Sequence, residues 1–333
     1  MDRIGLLLFA ALLGGMASPA ATGKETTSAL TKDVVATVVE KANRIVTTYY
    51  LYPEKVPEIT GRLKASLASG RYRVSDPAAL AARMTEDLQA VTHDGHMSVT
   101  YAPDATAAAS AAQPASGDSA QPSLSTADVN IGKMEVLPGN IRYVEVKTFQ
   151  WSPQSSPTAF DHAVSFLRGG DAYILDVRDN PGGDPEAVTY LVSHFMEPGR
   201  HLMTFYSKEG STQSKTLGQL AARRLEPKPL LLLISKATFS AAEEFAAHVK
   251  HFKLGTIIGE ASGGGGNNNT LVGTREGFLV SVSSGRAIHA ATGKSWQGEG
   301  IAPDIKVPAA KALEVAELSA LERTRAAHAK RRQ

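Results

Sequence analysis

Apolar positions along the chain change their period as the sequence runs. From about residue 30 to 93 they recur at helical spacing, as in Val34, Val35, Val38, Val39, Ala42, Ile45 and Val46. Recurrence at three and four residues puts such side chains on one helix face. Further helices are predicted over about 54–67 and 77–91, where Asp76 offers an N-cap ahead of Pro77 at the first helical position. Residues 103–128 then lose periodicity and consist mainly of Ala, Ser, Gln, Pro, Gly and Asp. That composition buries too little apolar surface to offset the entropy of ordering.

From residue 129 onward, strands alternate with helices. Residues 140–146 alternate apolar and polar like a half-buried strand, while 172–177 and 230–235 are short continuous apolar runs. Such runs suit parallel strands covered on both faces. Helices are predicted at 157–168, 185–195 and 240–251, a strand at 254–258, paired strands within 277–290, and a charged, alanine-rich helix from 311 to the end. The organisation expected is therefore a helical N-terminal domain over 30–100, a low-complexity linker over 101–128, an α/β catalytic domain over 129–308 and a C-terminal helix over 309–333.

Composition adds limits. A hydrophobic content of 43% and a charged content of 20% suit a globular protein with a sizeable core. A formal net charge of +2 gives no electrostatic reason to expect nucleic acid as a partner. Arg3, the apolar run over 4–16 and the small residues Ala17-Ser18-Pro19-Ala20-Ala21 read as a secretory signal peptide over 1–21. That run is too short to span a bilayer, so export to the periplasm or beyond is expected, with no membrane span in the mature chain. The absence of cysteine excludes disulfides, thiol nucleophiles and a lipid-modified cysteine.

Candidate chemistry centres on Ser240, where the apolar run 230–234 gives way to a helix. Free N–H groups and the positive end of the dipole at a helix start would stabilise an alkoxide or oxyanion. Serine is also a common N-cap, and Ser240 with Glu243 has capping-box spacing. The turn Asp176-Val177-Arg178-Asp179-Asn180-Pro181-Gly182-Gly183 follows a buried strand and could offer backbone N–H donors, although Asn-Pro-Gly-Gly also serves as a plain turn. His93 and His96, flanking Asp94-Gly95, are the candidate bases. Lys236 and Lys250 are poorly placed for a Ser-Lys pair. No metal site is expected, because His248 and His251 lack a third ligand, and no cofactor is expected. The run Gly263-Gly264-Gly265-Gly266-Asn267-Asn268-Asn269 lacks the lysine of a phosphate loop and reads as a flexible loop beside a site.

Together the ordered motifs Asp94-Gly95-His96, Asn140-Ile141-Arg142-Tyr143, Asp176 to Gly183, Thr238-Phe239-Ser240-Ala241-Ala242-Glu243-Glu244, Gly259 to Gly265 and Gly300-Ile301-Ala302-Pro303-Asp304 resemble the tail-specific (C-terminal processing) serine peptidase superfamily. The branch resembled is that of interphotoreceptor retinoid-binding protein and the tricorn protease core. The resemblance spans about residues 30–308, and no PDZ domain is apparent. It implies a crotonase-like (ClpP-like) α/β fold with a small helical N-terminal domain. It further implies Ser240 as nucleophile, oxyanion donors at Ala241 and at Gly182 or Gly183, and His96 as base with His93 as fallback. The lysine position of the Ser-Lys branch falls on Gly265. The supporting glutamate position falls on Gln297, with Glu299 two residues on, and Gly95 stands where the tricorn arrangement has a serine.

The expected function is an exported serine peptidase acting on peptides or unfolded protein, with a homo-oligomer allowed. The alternatives are a binding module for small apolar ligands or peptides that has lost catalysis, suggested by Gln297, and an acyl-CoA enzyme of the same fold. The latter leaves Ser240 and His96 without work.

Overall fold

The computed structural model describes residues 30–104, 106 and 130–331. The expected signal peptide and nearly all of the low-complexity segment lie outside the described residues. Helices α1 (Lys32–Tyr49), α2 (Val56–Ala68) and α3 (Pro77–Thr92) come first. Asp76 caps α3 by accepting from the N–H groups of Ala78 and Ala79. The helices bury Val38, Val39, Leu63, Leu80, Met84 and Leu88 in a core that also includes Phe278, Val280 and Val282 of a distant strand. The strand that follows α3, β1 (Ser98–Tyr101), pairs antiparallel with that strand, β10 (Phe278–His289). This pairing ties the helical segment to the C-terminal half of the chain.

The larger sheet has the order β11-β8-β7-β4-β3-β2. Its members are β2 (Ile131–Leu137), β3 (Ile141–Val146), β4 (Ala172–Asp176), β7 (Leu230–Ile234), β8 (Thr256–Gly259) and β11 (Ile305–Lys306). All neighbours pair in parallel except β2 with β3. Helices α4 (Ser156–Arg168), α5 (Pro185–Val192) and α6 (Ala241–His251) make the crossovers. Side-chain alternation explains the continuous apolar run of β7. Leu230, Leu232 and Ile234 enter the core that holds α4, α5 and α6. Leu231 and Leu233 enter a second core on the other face, closed by Ala312, Ala316 and Ala320 of α7 (Ala312–Arg331). Alanines four apart let that helix lie close to the sheet.

The second sheet holds β1, β10, β5 (His201–Ser207), β6 (Gly210–Lys215) and β9 (Asn267–Gly273). Two elements differ from expectation. Residues 267–269 begin a strand instead of extending a flexible loop, because they pair with Arg286, Gly285 and Ser283 of β10. Tertiary pairing here overrides the poor strand preference of asparagine. Likewise the paired strands expected within 277–290 are one long strand, Phe278–His289, with β9 along one edge and β1 and β5 in succession along the other.

Candidate active site

Strands β4 and β7 are paired neighbours, so the loops leaving their C-terminal ends emerge side by side. Ligands in parallel α/β sheets gather at that end. One loop carries Gly182 and Gly183; the other carries Ser240 at the start of α6.

Ser240 does not have the backbone of an ordinary cap. Its φ of 54° and ψ of −122° contrast with the extended conformation usual at an N-cap. A non-glycine residue held there stores about 1–3 kcal/mol of strain, and such strain concentrates at functional sites. The Ser240 N–H donates to Glu243 Oε2 at 2.8 Å, the glutamate half of a capping box. The hydroxyl stands on the side-chain half of that capping box and lies 3.0 Å from His96 Nε2. The capping and nucleophilic readings therefore coexist: Ser240 and Glu243 form a capping box while the serine hydroxyl meets the histidine ring.

His96 arrives from the loop between α3 and β1. His93 ends α3 in a left-handed conformation with φ 53°, and its side chain is exposed. His96 is 6% exposed and rests against Phe239, with ring centroids 4.7 Å apart. Its Nδ1 faces Asp94 Oδ1 at 3.4 Å, longer than a formed hydrogen bond. Catalytic hydrogen bonds are often long without substrate and tighten with it.

Asp94 is the residue that motif reasoning missed. Its Oδ1 accepts from the His96 backbone N–H at 2.9 Å. Its Oδ2 accepts from Asn267 Nδ2 at 2.8 Å and from Ser283 Oγ at 2.6 Å. Ser283 adjoins a register shift in the β9–β10 pair, the kind of irregularity that re-aims a side chain. Burial raises the carboxyl's pKa, but the hydrogen bonds from His96, Ser283 and Asn267 outweigh it and hold the group below the ordinary range. A signal existed: an aspartate two residues before a histidine forms a local turn by accepting its N–H.

Gln297 and Glu299, the sequence candidates for supporting His96, lie elsewhere. Gln297 Oε1 accepts from the N–H groups of Gly266 and Asn267 at 2.8 and 2.9 Å, so it reaches His96 only indirectly, through Asn267 and Asp94. Glu299 is exposed and lines a separate small pocket with His251 and Lys294. Asp94 occupies the position those residues were expected to fill.

The glycine turn also resolves. Gly182 donates its N–H to Asn180 Oδ1 at 2.9 Å, which corrects its expected place as an oxyanion donor. Phe149 N–H donates to Gly182 O, and Asp184 N–H donates to Phe149 O, each at 2.8 Å. This parallel bridge turns the intervening Gly183 N–H away from Phe149. Among the described residues, the N–H groups of Gly183 and Ala241 have no protein acceptor; that of Ala241 is an orphan of the helix start. Gly182 serves sterically instead. With φ 107°, its absent Cβ would lie 2.8 Å from Ser240 Cβ and 3.0 Å from Ala241 N.

A cleft of about 850 Å³ opens over this arrangement, lined by Ser240, Ala241, Gly183, Trp151, Phe205 and Trp296 among others. Behind it, Glu243 is fully buried. Its Oε1 accepts from Ser262 Oγ and Gly264 N–H at 2.6 and 2.7 Å, and its Oε2 accepts from Gly265 N–H at 2.6 Å as well as from Ser240. Gly265 is packed against His96 and Phe239; a Cβ there would lie 2.9 Å from His96 Cε1 and closer still to Phe239. The position has no room for a lysine. Among the described residues, no group of three or more His, Cys, Asp or Glu is arranged to hold a metal.

Comparison with known proteins identifies the family. A family model described as Peptidase family S41 matches residues 140–307, half of the chain. A model described as the N-terminal domain of Peptidase_S41 in eukaryotic IRBP matches residues 26–133. The carboxy-terminal processing protease CtpA of Bacillus subtilis is 28% identical over 174 residues, covering 52% of this chain and 36% of that protein. The chain thus spans little more than a third of that relative's length. Among solved structures, a lipoprotein from Streptococcus agalactiae superposes with a TM-score of 0.61 at 13% identity, covering 87% of this chain and 96% of that one. The tricorn protease superposes with a TM-score of 0.55 at 13% identity, covering 88% and 37%. These two likenesses speak to fold alone. The strained serine at a helix start, the buried histidine beside it and the matched family model lead to one conclusion: the chain belongs to peptidase family S41, with an N-terminal segment of the IRBP type.

Proposed function

We propose that the protein is an exported serine peptidase that hydrolyses peptide bonds in extended or unfolded polypeptide. The observation that carries this reading is the 3.0 Å approach of Ser240 Oγ to His96 Nε2 at a strained helix start. Ser240 Oγ attacks the scissile carbonyl carbon while His96 Nε2 takes its proton. The Gly183 and Ala241 N–H groups receive the oxyanion. Collapse breaks the C–N bond as His96 returns the proton to the leaving amine, and water then hydrolyses the acyl-serine by the same relay. Asp94 holds the imidazole with its proton on Nδ1 and offsets the charge of the imidazolium. Export rests on the N-terminal sequence. Among the described residues, no helix is long and apolar enough to cross a membrane.

Purified protein lacking residues 1–21 is expected to cleave an unfolded protein such as reduced casein, and Ser240→Ala is expected to lower kcat by roughly 10⁴-fold or more. Equal turnover by the two proteins would refute the assignment. Gly265→Ala is a second test. The added methyl must displace His96 or Phe239, and a displacement of about 1 Å can cost about 10²-fold. Kinetics beside a melting curve should show kcat/KM falling far more than stability.

A further inference from the structure

Glu244 follows Glu243 on α6 and has no part in the relay just described. It is 3% exposed, it lines the same cleft as Ser240, Ala241 and Gly183, and its Oε1 has no hydrogen-bond partner. The nearest ring nitrogen is His248 Nε2 at 3.5 Å. That ring belongs to a chain whose proton positions can be read. Ala291 N–H donates to His289 Nδ1 at 3.2 Å, so a neutral His289 keeps its proton on Nε2. That proton faces His248 Nδ1 at 3.1 Å, which leaves the His248 proton on Nε2. Burial first, and neighbouring histidines next, hold both imidazoles near a pKa of about 3. Neither ring gives Glu244 a positive partner at neutral pH.

The rest of the cleft supplies none either. Its lining includes Asp184, Glu186, Glu209 and Glu244 but no lysine or arginine among the described residues. Burial, with Glu186 nearby, pushes the Glu244 carboxyl well above the ordinary range, which favours its neutral form. A cation entering the cleft would reverse that preference and form a charge-assisted hydrogen bond. Trp151, Phe205, Ala287 and Trp296 in the same lining offer apolar surface to an aliphatic stem.

We propose that Glu244 is the specificity-determining residue of the cleft, accepting the lysine or arginine side chain of the substrate residue next to the scissile bond. The register relative to that bond rests on Ser240 as nucleophile, because Glu244 lies about one helical turn beyond it.

The test separates the pocket from the chemistry by measuring binding on Ser240→Ala protein. The probes are a short peptide containing one arginine and the same peptide with citrulline, which keeps the shape and removes the charge. The arginine peptide should bind about 10- to 100-fold more tightly, the range of a charge-assisted hydrogen bond. Adding Glu244→Gln should bring the two peptides within about twofold while citrulline binding is retained. The absence of an arginine preference in Ser240→Ala overturns the proposal without any Glu244 variant, and so does a preference that survives Glu244→Gln. Turnover of both peptides by the wild-type chain reads the other claim. Arginine-selective binding with no turnover would refute the nucleophile and leave the pocket standing. Cleavage elsewhere than beside the arginine would refute the register.

Discussion

Replacing Asp94 by asparagine should lower kcat by about 10³- to 10⁴-fold, the cost of losing the charged orienting group behind a catalytic histidine. KM should change little, because Asp94 is buried behind His96 and does not line the cleft. The reason is geometric. Asp94 receives donors on both oxygens, from the His96 backbone, Asn267 and Ser283. An amide turns one acceptor into a donor. Either its NH₂ meets the Asn267 and Ser283 donors, or it faces the His96 ring and favours the wrong tautomer. Steady-state kinetics checks this, and a loss below about tenfold would remove Asp94 from the relay. The substitution should also change the pH dependence of stability. A carboxyl held below its unfolded value stabilises the fold above the ordinary carboxylate range, and that contribution fades as pH falls toward the folded value. Melting curves of wild type and Asp94→Asn should therefore differ most near neutral pH and converge in acid.

Glu243→Gln should have the largest effect on stability, about 3 kcal/mol, or roughly 6–10 °C in Tm. Every partner of this fully buried side chain is a donor: Ser240 N–H, Gly264 N–H, Gly265 N–H and Ser262 Oγ. Ser262 Oγ accepts from Ile301 N–H at 2.6 Å and donates its own proton to Glu243. An NH₂ group in place of one oxygen would leave two of these donors facing a third, without an acceptor. Activity should fall too, because Glu243 fixes the Ser240 backbone in its unfavourable φ and also places the Gly265 segment against His96. Thermal melting by circular dichroism measures the first effect. A Tm within about 2 °C of wild type would show that the network tolerates a donor and carries less than its geometry suggests.

These effects also show where the sequence was legible. The runs at 172–177 and 230–235 announced strands covered on both faces, and the two cores on either side of β7 account for them. The order of motifs brought Ser240 and His96 into one picture although 144 positions separate them. The resemblance points to Gln297 for the third partner, because the family carries a glutamate at that position. Asp94 sits behind His96 through a turn only two residues long, a local signal outweighed by a distant one. The roles of the two glycines were hidden for a different reason. The direction of each N–H depends on Phe149 and Asn180, contacts that no local pattern encodes. The hairpin of β5 and β6 went unpredicted because β6 is a largely exposed, polar strand with no apolar alternation to read.

The central claim is that Ser240 is made nucleophilic by His96, and covalent labelling tests it most directly. Intact-protein mass spectrometry after exposure to a fluorophosphonate should show a single adduct on the wild-type chain. Peptide mapping should place that adduct on Ser240, and His96→Ala should slow its formation by at least about 10²-fold, the lower end of what a positioned general base contributes. An adduct on another residue, or a labelling rate unchanged in His96→Ala, would contradict the account.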